Sequence, residues 1–486
     1  MTALTLPARN ATRRQSFTVV LAIELWERFG FYGMQAVLTI YLVSRLGLQD
    51  YDANLMIGAF SAMTYVTPVL GGMVGDRLLG SRRSMVGGAV ALALGYMMLG
   101  IADQSRTLLY LAMAVIATGN GLFKPNAGNL VRRIYEGDDA EVDAAFTIYY
   151  MSVNVGSTVS MLLTPWLQDR YGPGAAFMAC ALGLVLGLIY YAWRAPWLKG
   201  VGGHLDLAPV NRRALALVSG GALACVAVTI VILSNAALAR LSIWLAAAGI
   251  AIGWIALYRR IPGRERPGLR LAYLLCLETM VYALFYQQQQ TSLTLFALRA
   301  VDGDFRIGPM RLFHWSAGQF QALNSLWIMA ASPVLAFLYD RLGQRGRDLS
   351  LANKMAIGFS LVVIGFFIWW RAAAAAVGLV SPWVMVVGYG FTSVAELLTM
   401  GLGLAVIARY VPARLSGFMM GSLYLVWALA MYVGSVIANI ATATPGHGAA
   451  AYVGLWRDLF LLALAAFAAV VVLLPIAAKW ARQCEE

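Results

Sequence analysis

Charge is what this sequence has least of. Asp, Glu, Lys and Arg together make up 12% of the 486 residues, against about a quarter in a soluble globular domain. With 60% hydrophobic residues and a mean hydropathy of +0.72, the chain cannot clothe a surface facing water. Histidine is scarcer still: His204, His314 and His447 are the full set, and all three read as loop residues. The four cysteines, Cys180, Cys225, Cys276 and Cys484, show no CxxC spacing, which argues against a disulfide framework and a cysteine metal site. There is no HExxH or GxSxG stretch, so no catalytic residue, metal ligand or cofactor is expected. Acidic residues are outnumbered, 23 to 36, for a net charge of +13. No basic patch is interleaved with aromatics, so nucleic acid is not an expected partner. The excess of Lys and Arg instead reads as a marker of cytoplasmic loops.

Long apolar runs are abundant. Hydropathy gives fourteen spans: 17–43, 54–77, 84–103, 107–131, 143–167, 175–196, 212–234, 240–258, 270–298, 318–341, 351–371, 379–408, 414–441 and 452–478. Each is long enough for a transmembrane helix, and the 48 glycines suit close helix packing in lipid. The first span is too long and too charged for a cleavable signal peptide. An even number of spans puts both termini on one side. The loops on that side hold 25 of the 36 basic residues, including Arg9, Arg13, Arg14 and Arg347, and the opposite loops hold nine. Both termini are therefore expected in the cytoplasm.

A repeat is visible. The second span ends in Gly75-Asp76-Arg77 and the tenth in Tyr339-Asp340-Arg341, each followed by a glycine turn and more arginine. The expected fold is an all-α polytopic membrane protein of the major facilitator type. Twelve core helices form two six-helix halves, 1–200 and 267–486, and 201–266 supplies two extra helices between them. Parallel halves of this kind place their site near the bilayer midplane.

The few charges inside spans carry the functional reading. Glu24, Glu27 and Arg28 share one face of the first span, at spacings of three and four. A charge at the centre of a membrane helix costs about 2.5–3.5 kcal/mol on insertion scales, so such residues mark polar pathways and proton relays. Lys124 in span four and Glu396 in span twelve occupy corresponding helices of the two halves with opposite sign. They read as the two poles of a dipolar site. Tyr32, Tyr65, Tyr149, Tyr150, Asn154 and Asn324 also lie at membrane depth, where a hydroxyl needs a partner. The run Gln287 to Gln290 interrupts span nine and reads as cavity lining.

Several stretches resemble the proton-dependent oligopeptide transporter family of the major facilitator superfamily, in its bacterial form. Glu24-Leu-Trp-Glu27-Arg28-Phe29-Gly-Phe-Tyr32-Gly33-Met34 is similar to the ExxERFxYYG signature. Tyr65 to Arg77, Gly119 to Asn126, Phe146 to Gly156, Gln319 to Asn324 and Ala395-Glu396-Leu397 resemble further family stretches. The resemblance implies a proton-coupled symporter that imports di- and tripeptides by alternating access in a bacterial inner membrane. Small peptides, protons and the bilayer are then the partners, and a monomer is expected. Glu24, Glu27, Arg28 and Lys124 would couple protonation to rearrangement. Arg28 and Lys124 would meet the peptide carboxylate, and Glu396 with Asn154 and Asn324 the amine. Tyr32, Tyr65 and Tyr150 would bond the peptide backbone, with Gln35, Gln287 and Gln288 completing the pocket.

The sequence departs from the family pattern at Gln35, where many members carry a basic residue. Tyr286 stands in place of an acidic residue, and Met400-Gly401 in place of Ser-Pro. The second span has no histidine. The competing reading keeps the fold and changes the cargo to nitrate, drug-like molecules or modified peptides. A membrane-embedded enzyme and a transporter-like receptor are the readings from other classes.

Overall fold

The structure is a computed structural model that describes residues 12–137, 139–346, 349–443 and 448–484. Arg9, Arg347, His447 and the terminal Glu486 of the expectations above lie outside the described residues.

The first six helices are α1 (Arg13–Ile40), α2 (Asp50–Val74), α3 (Ser81–Ala102), α4 (Arg106–Ile134), α5 (Asp139–Tyr171) and α6 (Pro173–Arg194). A short helix α7 (His204–Leu207) leads to the hairpin of α8 (Arg212–Ser234) and α9 (Ala236–Arg260). The remaining part contains α10 (Arg266–Tyr286), α11 (Ser292–Ala300), α12 (Ala322–Gln344), α13 (Leu351–Ala375), α14 (Pro382–Leu398), α15 (Gly403–Tyr410), α16 (Ala413–Ala438), α17 (Ile440–Ala443) and α18 (Val453–Arg482). Each of the fourteen hydropathy spans coincides with a helix or a broken helix. Twelve are both long and apolar enough to cross a membrane. The other two, α1 and α5, have 28 and 33 residues, and are long enough but more polar. They carry the buried charges and the tyrosine-rich stretch respectively.

One departure from an all-helical chain is a small antiparallel hairpin after α11. β1 (Asp304–Ile307) pairs with β2 (Met310–His314), and Gly308 at φ +58° makes the turn. Asp304 gathers Arg306, Arg311 and His314 at 2.9, 2.8 and 2.7 Å. Hydrogen bonds from Arg306 and then His314 hold its carboxyl below the usual range.

Small residues set the close helix contacts. A Cβ added at Gly71 of α2 would stand 1.9 Å from the Gly121 carbonyl oxygen of α4, and one at Gly121 would stand 2.5 Å from Thr67 Cβ. Backbone therefore meets backbone where α2 crosses α4. α3 and α4 interlock the same way, since a Cβ at Gly88 would lie 2.6 Å from the Gly119 carbonyl. One apolar cluster is built mainly from α1 to α6 and reaches Leu233 of α8, Ala239 of α9 and Ala428 and Tyr432 of α16. Two others come mainly from α10 to α18, one of them with Ile250 and Trp254 of α9.

Two spans are broken. α10 stops at Tyr286, the chain makes a tight turn through Gln287–Gln289, and α11 resumes at Ser292. α14 stops at Leu398, and Met400–Leu402 forms another tight turn before α15. Chain bending at Met400-Gly401 thus occurs without the family's proline.

The segment between the six-helix groups is tied down at both ends. Buried Asp206 of α7 accepts from the backbone N–H groups of Ser81 and Arg82 at 3.2 and 2.9 Å. This satisfies the start of α3, where Gly80 at φ +89° has no side chain to cap it. α8 packs against α4, and α9 packs against α16. Trp254 of α9 stacks on Tyr273 of α10 at 4.3 Å, and the Tyr273 hydroxyl donates to the Trp254 carbonyl.

Bonds between the two six-helix groups gather where α1 ends and α2 begins. Arg299 pairs with Asp50. Asn54 donates to Asn439 at 2.8 Å, Thr39 to the Gln290 carbonyl at 2.6 Å, and Gln319 to the Leu162 carbonyl at 2.7 Å. Ser157 and Ser325 meet at 2.8 Å. α5 exposes apolar side chains along its whole length, from Phe146 to Trp166. The bundle is closed at the Asp50 end, opposite the end bearing the described termini.

The glycine crossing makes a stability prediction. Gly71→Leu should lower the melting temperature sharply, because overpacking costs about 1–3 kcal/mol or more. Gly87→Leu should leave it nearly unchanged, since a Cβ at Gly87 meets nothing within 4 Å. Equal melting temperatures for the two variants in detergent would contradict this packing.

Candidate functional site

α1 presents its charges to the protein interior. Glu24, Glu27 and Arg28 are 2%, 0% and 3% exposed, so none reaches water or lipid. The Arg28 Nε lies 3.1 Å from Glu24 Oε1 and 2.5 Å from Glu27 Oε2. A buried charge is tolerated only when paired, and here one guanidinium serves two carboxylates. Tyr149 of α5 stands beside Glu24. Glu27 Oε1 and Arg28 Nη2 have no hydrogen-bond partner among the described residues.

Lys124 supplies the second cation. It lies within electrostatic reach of both glutamates, and its Nζ stands 5.3 Å from the centre of the Tyr65 ring. That contact holds an ammonium in a partly dry site. It is positioned by Pro125 inside α4 and by the close α2–α4 crossing. With both glutamates ionised, the group of four is formally neutral. Adding one proton leaves it with one positive charge in a low-dielectric setting, where an arriving anion is strongly favoured.

Arg28 and Lys124 open onto a small cavity of about 30 Å³ shared with Tyr32, Gln35, Tyr65, Asn120, Tyr286 and Gln290. The two glutamates lie behind this wall. Asn120 is fixed by donating to the Thr64 carbonyl at 3.0 Å. Ser61 donates to the Gln290 side chain at 3.1 Å. The Arg28 guanidinium lies 5.6 and 6.0 Å from the ring centres of Phe31 and Tyr32.

The acidic pole sits across from these residues on α14. Asn324 of α12 donates to Glu396 Oε2 at 2.8 Å and lies 3.1 Å from Ser393 Oγ. Tyr32 and Tyr65 lie within electrostatic reach of both Arg28 and Glu396. Tyr150 lies within reach of Glu396 and Tyr32, and is 46% exposed. Tyrosine hydroxyls therefore span the gap between the poles. Glu396 itself is not part of the wall of the small cavity.

Three expected pocket residues are used differently. Gln287 donates to Ser435 at 3.0 Å, and Gln288 donates to the Gly434 carbonyl at 2.8 Å. Both are fully buried at the break between α10 and α11 and hold it against α16, and Gln288 also donates to the Leu284 carbonyl of α10 at 3.1 Å. Of the glutamine run, Gln290 is the one in the cavity wall. Asn154 donates to the Tyr150 carbonyl one turn back at 2.9 Å.

The sequence analysis passed over Glu278 of α10. It is 7% exposed, and its Oε2 has no hydrogen-bond partner among the described residues. The signal that singled out Glu24, an acid within an apolar span, was present there too. Asn120 was also passed over as a site residue, since its role depends on the α2–α4 crossing.

The model of the POT family matches residues 82–453. The dipeptide and tripeptide permease A of Serratia proteamaculans is 38% identical over 468 residues, covering 96% of this chain and 91% of that protein. The dipeptide and tripeptide permease A of Escherichia coli K12 is 38% identical over 431 residues, covering 88% and 84%. Among solved structures, tetrameric PepTSo2 superposes with a TM-score of 0.87 at 40% identity, covering 96% of this chain and 99% of that one. A bacterial homologue of the human drug and peptide transporters PepT1 and PepT2 superposes with a TM-score of 0.84, also at 40% identity. The site residues therefore stand in a multi-pass membrane protein of major facilitator fold, and the chain belongs to the POT family.

Proposed function

We propose that this chain is a proton-coupled symporter that imports di- and tripeptides by alternating access. The observation that carries the reading is the formally neutral group of Glu24, Glu27, Arg28 and Lys124, whose two cations face a cavity. A proton on Glu27 weakens its hold on Arg28 and leaves the group positive. A peptide carboxylate cancels that charge, so proton and peptide each favour binding of the other. This reciprocity is what symport requires. Glu396 and Asn324 receive the peptide amine, and Tyr32, Tyr65 and Tyr150 bond its backbone. Because a zwitterion entering a dry site needs both ends satisfied, contacts to ends and backbone leave side chains free to vary. The cavity at Arg28 has room for one or two waters, so a peptide anchored there extends beyond it towards Tyr150 and Glu396.

In this reading the described termini face the cytoplasm of a bacterium, and the Asp50 end faces outwards across the inner membrane. The closed Asp50 end then makes this a state shut to the outside. The halves 1–200 and 267–486 rock about the site, with 201–266 as a scaffold between them. One chain contains the whole site, so the monomer is the transport unit even within a larger assembly. The named relatives are peptide permeases, which favours peptide over nitrate or drug-like cargo. Membership of this family also sets aside the enzyme reading. Counterflow of labelled dialanine against nitrate and against modified peptides tests the cargo directly.

In proteoliposomes with an inward proton gradient, Glu27→Gln and Lys124→Ala should each lower dialanine accumulation at least about tenfold, the equivalent of about 1.4 kcal/mol. Glu27→Gln should retain peptide counterflow, since the neutral glutamine mimics the protonated acid. Unchanged accumulation in both variants would refute the coupling role.

Alternating access makes its own demand on the Asp50 end. Oxidative cross-linking of an Asn54→Cys, Asn439→Cys double variant should stop uptake, and a reductant should restore it. Full uptake in the cross-linked protein would rule out opening at that end.

A further inference from the structure

The α8–α9 hairpin does not close onto the core. Two apolar compartments of about 310 and 400 Å³ lie beneath it, the first against α2 and α4 and the second against the seam where α2 meets α16. They share Thr67, Leu70, Gly221 and Cys225, so they form one continuous slot. Val66 of α2, Val228 of α8, Ile243 of α9 and Leu429 of α16 contribute to its walls. Gly221 borders its open space, since a Cβ there would meet nothing within 4 Å. Water gains little in a space without polar partners. An unfilled slot also forfeits the dispersion contacts of every lining atom. The slot lies within membrane spans, so the surrounding medium able to fill it is hydrocarbon.

Its end at the Asp50 side is different in character. There it joins a polar pocket of about 140 Å³ through the shared residues Ala59, Ile232, Ala239 and Tyr432. Asp52, Arg106 and Ser234 line this mouth. Asp52 and Arg106 are both exposed, and Arg240 lies within electrostatic reach of Tyr432. Arg106 begins α4 and Ser234 ends α8, which puts the mouth at headgroup depth. A cation and an anion at the top of an apolar slot match the two charges of a zwitterionic headgroup, with phosphate at Arg106 and ammonium at Asp52.

We infer that this slot is a binding site for one zwitterionic phospholipid of the bilayer, its headgroup between Arg106 and Asp52 and one acyl chain running between α8–α9 and the α2–α16 seam. The site is separate from the peptide site: Tyr65 and Lys124 face the central cavity, while the slot opens on the lipid-facing flank of the same helices. A lipid there touches both six-helix groups at once.

Native mass spectrometry of the full chain, titrated with phosphatidylethanolamine or phosphatidylglycerol, tests the site. The wild type should retain one phosphatidylethanolamine in preference to phosphatidylglycerol. Gly221→Phe fills the slot and should weaken retention about tenfold, one decade in Kd. Leu223→Phe, on the lipid-facing side of the same helix, should not. Asp52→Asn alters only an exposed mouth residue and should shift preference several-fold towards the anionic lipid, whether or not Gly221→Phe folds. Retention of detergent alone overturns the inference. So does equal loss in the two phenylalanine variants, or headgroup preference unchanged by Asp52→Asn.

Discussion

The pairing of Arg28 with two glutamates is the constraint around which this protein is organised. None of the three side chains has an alternative partner in lipid, so α1 must keep this face against α4 and α5. Burial makes the arrangement responsive: in a low-dielectric site a single proton changes the balance by a full charge with little screening. The same group exposed to water would bind and release protons with almost no structural consequence. Lys124 extends the effect to the wall of a cavity, where a charge change at Glu27 becomes an attraction for a substrate anion.

The closed end is built from a different kind of contact. Neutral hydrogen bonds between asparagines, serines, glutamines and backbone carbonyls join the two six-helix groups there, with one partly exposed ion pair among the described residues, between Arg299 and Asp50. Each such bond contributes about 0.5–1.5 kcal/mol net, and exposed ion pairs about 0–1. Water satisfies the same groups when the end opens. The interface therefore holds without locking, as a gate must. The buried ion pairs at Arg28, which are far more expensive to break, lie entirely within one half and are not required to part for the gate to move.

Much of this was legible in the residues. Charge within apolar runs located Glu24, Glu27, Arg28, Lys124 and Glu396, because the cost of burying charge acts on any membrane helix regardless of its neighbours. Span number followed from hydropathy, including α1 and α5, where polar site residues dilute the apolar signal. The glutamine run was less transparent. Polar residues at membrane depth either face a cavity or repair a broken backbone, and composition does not separate these uses. Gln288 bonds backbone carbonyls at the break and Gln287 ties the turn to Ser435, while Gln290 enters the cavity wall. Glu278 shows the opposite error, a buried acid passed over because no repeat or resemblance drew attention to it. The β1–β2 hairpin and the Asp206 cap depend on chain geometry in a connecting segment, which hydropathy does not register.

The two extra helices are fastened to opposite sides of the molecule. Asp206 fixes the start of the segment to α3, and α8 lies on α4, whereas α9 lies on α16 and stacks Trp254 on Tyr273 of α10. Relative rotation of the two halves must then be taken up between α8 and α9 themselves. The hairpin thus joins the halves through one short turn at Asn235, whose side chain caps the start of α9, and the open slot beneath it leaves room for the two helices to shift without parting either anchor.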